Sequence, residues 1–162
     1  MRIKITNGEA LKKRFTILIA DRNPHVREFL KREMMAEGYH ILLAKSVQEV
    51  LKFIYDNNRP LDLLILELDL PDTGGLPILK KLEDRIPNLP VVVHTYLSEY
   101  LNHPAVLCAA AIVEKKGNSI DHLKKAVSST LRKLSSNDSN HETKEALNSI
   151  NHNPSFTICK KY

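Results

Sequence analysis

Leu61-Asp62-Leu63-Leu64-Ile65-Leu66-Glu67, continued by Leu68-Asp69-Leu70-Pro71-Asp72-Thr73-Gly74-Gly75, is the stretch on which the fold turns. Five of its first seven residues are Leu or Ile. Asn57-Asn58-Arg59-Pro60 precedes it, and Pro71 with two glycines follows. A run this short and apolar between turn residues predicts a strand buried on both faces, the kind that sits mid-sheet in a parallel arrangement with helices on either side. It ends on a carboxylate, Glu67. In open parallel sheets ligands bind beyond the carboxyl ends of the strands, where the strand order reverses, so Glu67 is a candidate site residue.

Upstream, Phe15–Ala20 is a second β-rich run that also closes on a carboxylate, Asp21. Asn23 and Pro24 suit the cap and first position of a helix, Val26, Phe29, Leu30 and Met34 follow at helical spacing, and Gly38 ends it. His40–Ala44 is a short strand. Ser46 and Glu49 form a capping-box pattern, with Val47, Val50, Leu51 and Ile54 on one helical face. Downstream, Leu76–Arg85 is a third helix with Leu79 and Leu82 inward. Pro90–Thr95 is a strand by its β-branched content. Ser98–Ala110 would be a helix, but Pro104 lies inside it, so a short or broken segment is expected. Ala111–Glu114 is a fifth strand. Asn118 or Ser119 caps a last helix with Ile120, Leu123, Val127 and Leu131 inward. Five strand–helix units in succession force parallel strands and right-handed crossovers.

The chain has 162 residues, 43% of them hydrophobic, which fits one domain with a full core. The expected organisation is an N-terminal extension over 1–13, a folded domain over 14–134, and a disordered tail over 135–162 that is rich in Ser, Asn, His and Lys. Of the net charge of +5, residues 1–13 carry +3, from Arg2, Lys4, Lys12 and Lys13 against Glu9. A basic excess concentrated there, away from a folded face, argues against a nucleic-acid partner. Cys108 and Cys159 have no metal-ligand spacing and are too few for a disulfide framework. The apolar run at 15–20 is too short to span a bilayer. A cytoplasmic protein with no membrane association is the expectation. Gly74-Gly75 lacks the continuation of a phosphate loop, and one of the two glycines is expected at a turn needing positive φ. His94 is read as a packed strand residue rather than a proton shuttle, and Asp69 and Asp72 as solvated loop carboxylates.

Taken together, Ile17-Leu18-Ile19-Ala20-Asp21 with Asn23-Pro24, the strand ending at Glu67 with Leu70-Pro71 and Gly75, Val91-Val92-Val93-His94-Thr95, and Glu114-Lys115 resemble the receiver domain of two-component response regulators. The resemblance covers about residues 15–134. It implies a doubly wound, flavodoxin-like sheet of order 2-1-3-4-5. It also implies an aspartate phosphoacceptor ending strand three, two acids after strand one holding Mg2+, and a hydroxyl and a lysine ending strands four and five that contact the phosphoryl group. Asp21 matches the first acid, Thr95 the hydroxyl, Lys115 the lysine, and the backbone carbonyl of Asp69 a metal-ligand position.

Three positions depart from that pattern: Arg22 stands for the second acid, Glu67 for the phosphoacceptor, and Ile112 for the aromatic of strand five. A guanidinium in place of a carboxylate ligand removes an oxygen and adds repulsion, so the Mg2+ site is expected to be lost and no cofactor is expected. Arg22 is expected to substitute for the metal by bonding Asp21 and Glu67, with Lys115 flanking. The alternative is an Arg22 that points into solvent. The resulting expectation is a stand-alone pseudo-receiver without enzymatic activity. It would dock on a histidine kinase or a downstream effector through its fourth-helix, fifth-strand and fifth-helix face, independently of phosphorylation. The competing reading is a phosphoryl-accepting regulator with a glutamate acceptor. A flavin-type cofactor binder is a third reading, weakened because the loop after strand one has no Ser/Thr-rich cradle.

Overall fold

The computed structural model describes residues 14–96 and 98–145. Five parallel strands, β1 (Thr16–Ala20), β2 (His40–Ala44), β3 (Leu63–Leu66), β4 (Val91–Thr95) and β5 (Ala111–Glu114), form one sheet of order β2-β1-β3-β4-β5. The expected topology is thus found, with β3 at its centre.

Period-2 alternation sorts the core into two layers. Ile17, Ile19, Leu63, Ile65, Val92 and Val113 face α1 (Pro24–Ala36) and α5 (Ser119–Glu145). Leu18, Ala20, Leu64, Leu66, Val91 and Val93 face α2 (Val47–Ile54), α3 (Leu76–Glu83) and α4 (Pro104–Leu107). All four residues of β3 are buried. Covered on both faces, β3 needs no polar alternation, which is why its sequence is a plain aliphatic run.

The helix starts follow local chemistry. The Asn23 side chain accepts from His25 N at 2.9 Å, and Pro24 opens α1. Ser46 Oγ accepts from Glu49 N at 3.3 Å, while the Glu49 carboxylate turns back to the Lys45 N–H at 2.9 Å, one residue earlier than a reciprocal box would place it. Around Pro104 the chain breaks as expected. Ser98–Tyr100 is a single 3-10 turn, and Pro104 becomes the first residue of α4, where its missing N–H has no partner to lose.

The domain boundary at 134 needs correction. Helix α5 continues through Glu145, so residues 135–145 of the expected tail are helical. Extending a helix already anchored by Leu123, Val127 and Leu131 avoids the cost of nucleation, and polar residues can follow without burial. Ser135 and Ser136 Oγ each donate to a carbonyl of the preceding turn. The extension over 1–13 and the remainder of the tail, 146–162, lie outside the described residues.

The loop after β3 closes tightly on the strand it leaves. Gly74 has φ +75° and takes the turn, as expected of one of the pair. At Gly75 the reason is space: a Cβ would lie 2.8 Å from the carbonyl oxygen of Glu67 and 3.0 Å from Leu68 Cα. Both are backbone atoms that cannot swing aside. Gly75→Ala should cost about 2–3 kcal/mol. Gly38→Ala, at φ +93° with no atom within 4 Å, should cost about 1 kcal/mol from backbone strain alone. Urea denaturation of the two variants gives the ranking.

Candidate functional site

The strand ladders run one residue past each strand and deliver the site side chains to the carboxyl edge of the sheet. Asp21 N donates to Ala44 O, Glu67 N to Ala20 O at 2.9 Å, and Lys115 N to Thr95 O at 2.9 Å. Asp21, Glu67, Thr95 and Lys115 therefore converge, and all four are buried, at 2%, 4%, 0% and 8% exposure. Such burial of charge is tolerable only with full pairing.

The pairing is complete at the carboxylates. Lys115 Nζ donates to Asp21 Oδ2 and to Glu67 Oε2, both at 2.5 Å. The other Asp21 oxygen accepts from Asn23 N at 2.8 Å. The other Glu67 oxygen accepts from Thr95 Oγ1 at 2.6 Å and from Asp69 N at 3.1 Å. Burial pushes the Glu67 carboxyl up, but the Lys115 ammonium, the Thr95 hydroxyl and the Asp69 N–H outweigh it and hold the group below its usual value. Burial likewise pushes Lys115 down, and its two carboxylate partners overcome this and raise it.

Arg22 corrects the expectation. It bonds neither Asp21 nor Glu67. Its Nη1 donates to Asp69 Oδ2 at 2.9 Å, with the two side chains 60% and 56% exposed. Lys115 already fills the space between the two carboxylates, and Arg22, past the end of β1, meets the surface carboxylate of Asp69 instead. The lysine expected at the flank holds the centre instead. Asp69 is a surface carboxylate as expected, but it has a partner, and its backbone N–H serves the cluster. Asp72 is exposed and adopts φ 77°.

Each oxygen of Asp21 and Glu67 accepts a hydrogen bond, and the adjacent position 22 offers donors only. Among the described residues, no group of three or more His, Cys, Asp or Glu side chains is placed to hold a metal ion.

Two contributors, Arg27 and Tyr96, escaped the sequence reading. Arg27 Nη1 donates to the carbonyls of Asp21 at 2.6 Å and Arg22 at 3.0 Å, pinning the loop after β1 from the first turns of α1. Its place one turn past the Asn23 cap was the available signal. The Tyr96 ring lies 5.2 Å from Lys115 Nζ, a cation–π contact on the open side of the cluster. His94 is packed, as expected, but with neither ring nitrogen hydrogen-bonded. Burial, with the Lys115 charge adding to it and Glu67 opposing, brings its pKa down to about 4. Ile112 is half-buried against the α2–α4 layer.

A family model described as the response regulator receiver domain matches residues 17–128. Response regulator RR06 of Streptococcus pneumoniae serotype 2 is 35% identical over 83 residues, 51% of this chain and 37% of that protein. Response regulator MprA of a Mycobacterium species is 35% identical over 95 residues, 59% of this chain and 40% of that protein. The chain thus spans about two-fifths of the length of these relatives. Among solved structures, response regulator TrrA of Thermotoga maritima, in complex with Mg2+ and BeF, superimposes with a TM-score of 0.66 at 30% identity, covering 72% of this chain and 98% of that one. The structure of histidine kinase ThkA in complex with TrrA matches with a TM-score of 0.65 at 31% identity, with the same coverages.

Lys115→Met should destabilise the domain by roughly 3–5 kcal/mol at pH 7, because two buried carboxylates lose their cation. The loss should shrink at pH 5 as a carboxylate takes up a proton. Arg22→Ala should change stability by less than about 1 kcal/mol, as befits an exposed pair. His94 is neutral in the fold down to about pH 4 but titrates near 6.5 when unfolded. The unfolded chain therefore binds the extra proton between these values. Stability should fall by roughly 3 kcal/mol as pH drops through that window. Glu67, held below the ordinary carboxyl value of 4.5, adds its own loss only below that pH. Urea denaturation at a series of pH values checks this, and His94→Val should flatten the profile between pH 6.5 and 4.5.

Proposed function

The chain belongs to the response regulator receiver domain family, and from that membership and the strand-tip geometry we propose a receiver-type module that signals by docking, independently of phosphorylation. One observation carries the reading. The Glu67 carboxylate already takes both contacts that the family pattern assigns to a phosphoryl group: the Thr95 hydroxyl on one oxygen and the Lys115 ammonium on the other. A phosphodonor would have to displace both from a buried carboxylate held in its ionised form. It would also need charge neutralisation in line with the attack, which Lys115, committed to two carboxylates, is poorly placed to give. The extra methylene of Glu relative to Asp moves the attacking oxygen by about 1 Å, a displacement worth roughly a hundredfold in rate.

In this reading the module is cytoplasmic, holds no Mg2+ and catalyses no reaction of its own. Its partner is a signalling protein, either a histidine kinase or a downstream effector. The proposed docking face joins α4, β5 and α5. At its margin Tyr96 and Leu107 are 67% and 54% exposed.

Wild-type protein mixed with a labelled acyl phosphate and Mg2+ should acquire no stoichiometric label. Amide shifts near Asp21 should show no saturable Mg2+ binding at low millimolar concentration. The double variant R22D/E67D, which supplies a second acid and shortens the acceptor, should gain Mg2+ binding. Stoichiometric labelling of the wild type that vanishes in Glu67→Gln would establish the phosphoryl-accepting alternative and overturn this proposal.

A further inference from the structure

Strand β2 ends the sheet, and among the described residues no strand pairs with its outer side. His40 N donates to Phe15 O, and Ala44 O accepts from Asp21 N. Residues 40, 42 and 44 therefore turn their peptide groups toward β1, while Ile41 and Leu43 turn theirs outward. Edge strands are usually guarded by a lysine, a proline or a bulge. His-Ile-Leu-Leu-Ala holds none of these, and its register against β1 is unbroken. Lys45, just past the strand, has its Nζ 3.9 Å from Glu49 Oε1 on α2. The side chains of the edge are only partly covered too. Ile41, Leu42 and Leu43 are half-buried, whereas all of β3 is buried. Ile41 and Leu43 join the layer beneath α1 and α5, and Leu42 joins the layer beneath α2.

The spacing of these groups selects the occupant. In an antiparallel pair, two opposed residues whose peptide groups face each other exchange both N–H···O bonds. A two-fold axis at Leu42 sets Ile41 of one copy opposite Leu43 of the other, and Leu43 opposite Ile41. Every outward N–H and C=O of both copies is then bonded, so the edge is its own complement. The same axis sets Leu42 against Leu42 on the α2 face, and Ile41 beside Leu43 on the α1 face, which completes the burial of all three. Helix α1 packs on both β1 and β2. It thus lies about one strand spacing from the axis, and the two α1 helices sit roughly 10 Å apart, the ordinary distance of packed helices.

We infer that this edge joins two copies of the chain, β2 antiparallel to β2 about an axis at Leu42, with one sheet running through both. A five-residue strand and its flanking helix bury less than a standard interface. The dimer is therefore transient, and it forms as concentration rises from about 10 μM to about 1 mM.

NMR of the full chain across that concentration range tests this. Exchange at the Ile41 and Leu43 amides should slow about fivefold or more from the dilute to the concentrated sample. The Leu64 amide, bonded to Pro90 O at 3.0 Å, should stay unchanged. In a mixture of isotope-labelled and unlabelled protein, Leu42 Hα of one copy should show a nuclear Overhauser contact to Leu42 Hα of the other, the close approach of a non-hydrogen-bonded pair. Leu43→Pro removes an outward donor from each copy without touching the ladder to β1, and should leave the protein monomeric. Leu42→Lys sets an ammonium against its own copy with every backbone group in place, and should do the same even where the proline unfolds the domain. A wild-type monomer at every concentration overturns the proposal. Protection of Ile41 and Leu43 that ignores concentration also overturns it, since the cover then belongs to the same chain. So does a dimer that lacks the Leu42 contact, since another face then joins the copies.

Discussion

One ammonium group holds the working end of this sheet together. Lys115, just past β5, reaches the carboxylates that end β1 and β3, and Thr95 at the tip of β4 closes the remaining oxygen of Glu67. Four strand tips are thereby tied through three hydrogen bonds among the side chains of Asp21, Glu67, Thr95 and Lys115. The cluster carries two negative charges and one positive charge in a nearly water-free place. A buried ion pair is not in itself a strong source of stability, because desolvation consumes most of the Coulomb gain. What the arrangement supplies is definition: every oxygen has a donor, so removing any partner leaves a buried charge exposed to its full desolvation cost.

Around this core lies a second layer with different physics. The Arg22–Asp69 pair bridges the loops after β1 and β3 at more than half exposure. Solvent screens it, and its geometry is not enforced by packing. The inner cluster sets the shape of the site, while the outer pair sets the charge of its mouth. Of the two, only the inner one touches the residues that the family pattern assigns to phosphoryl chemistry.

Much of the fold was legible because it rests on local rules. The aliphatic run of β3, the Asn23-Pro24 and Ser46 helix starts and the Pro104 break each carry their cause in a few neighbouring residues. The membership of the site was legible too, since Asp21, Glu67, Thr95 and Lys115 all sit at strand ends. Its wiring was not. A guanidinium at the position of a carboxylate ligand suggested that Arg22 bonded Asp21 and Glu67 in place of a metal. Residue types alone do not say which cation reaches the carboxylates, and Lys115 holds them while Arg22 pairs with Asp69. The length of α5 was missed for a related reason: composition describes what a segment can bury, not what an already nucleated helix can carry along.

The grip of Arg27 on two successive carbonyls has a consequence for how this surface can change over evolutionary time. Those bonds hold the main chain at positions 21 and 22 without using either side chain. The main chain at 22 is thus mounted on a fixed bracket at the rim of the cleft, whatever side chain it carries. The charge of that side chain can be exchanged with little structural penalty, so the rim of the cleft is free to drift while the salt cluster beneath it stays put.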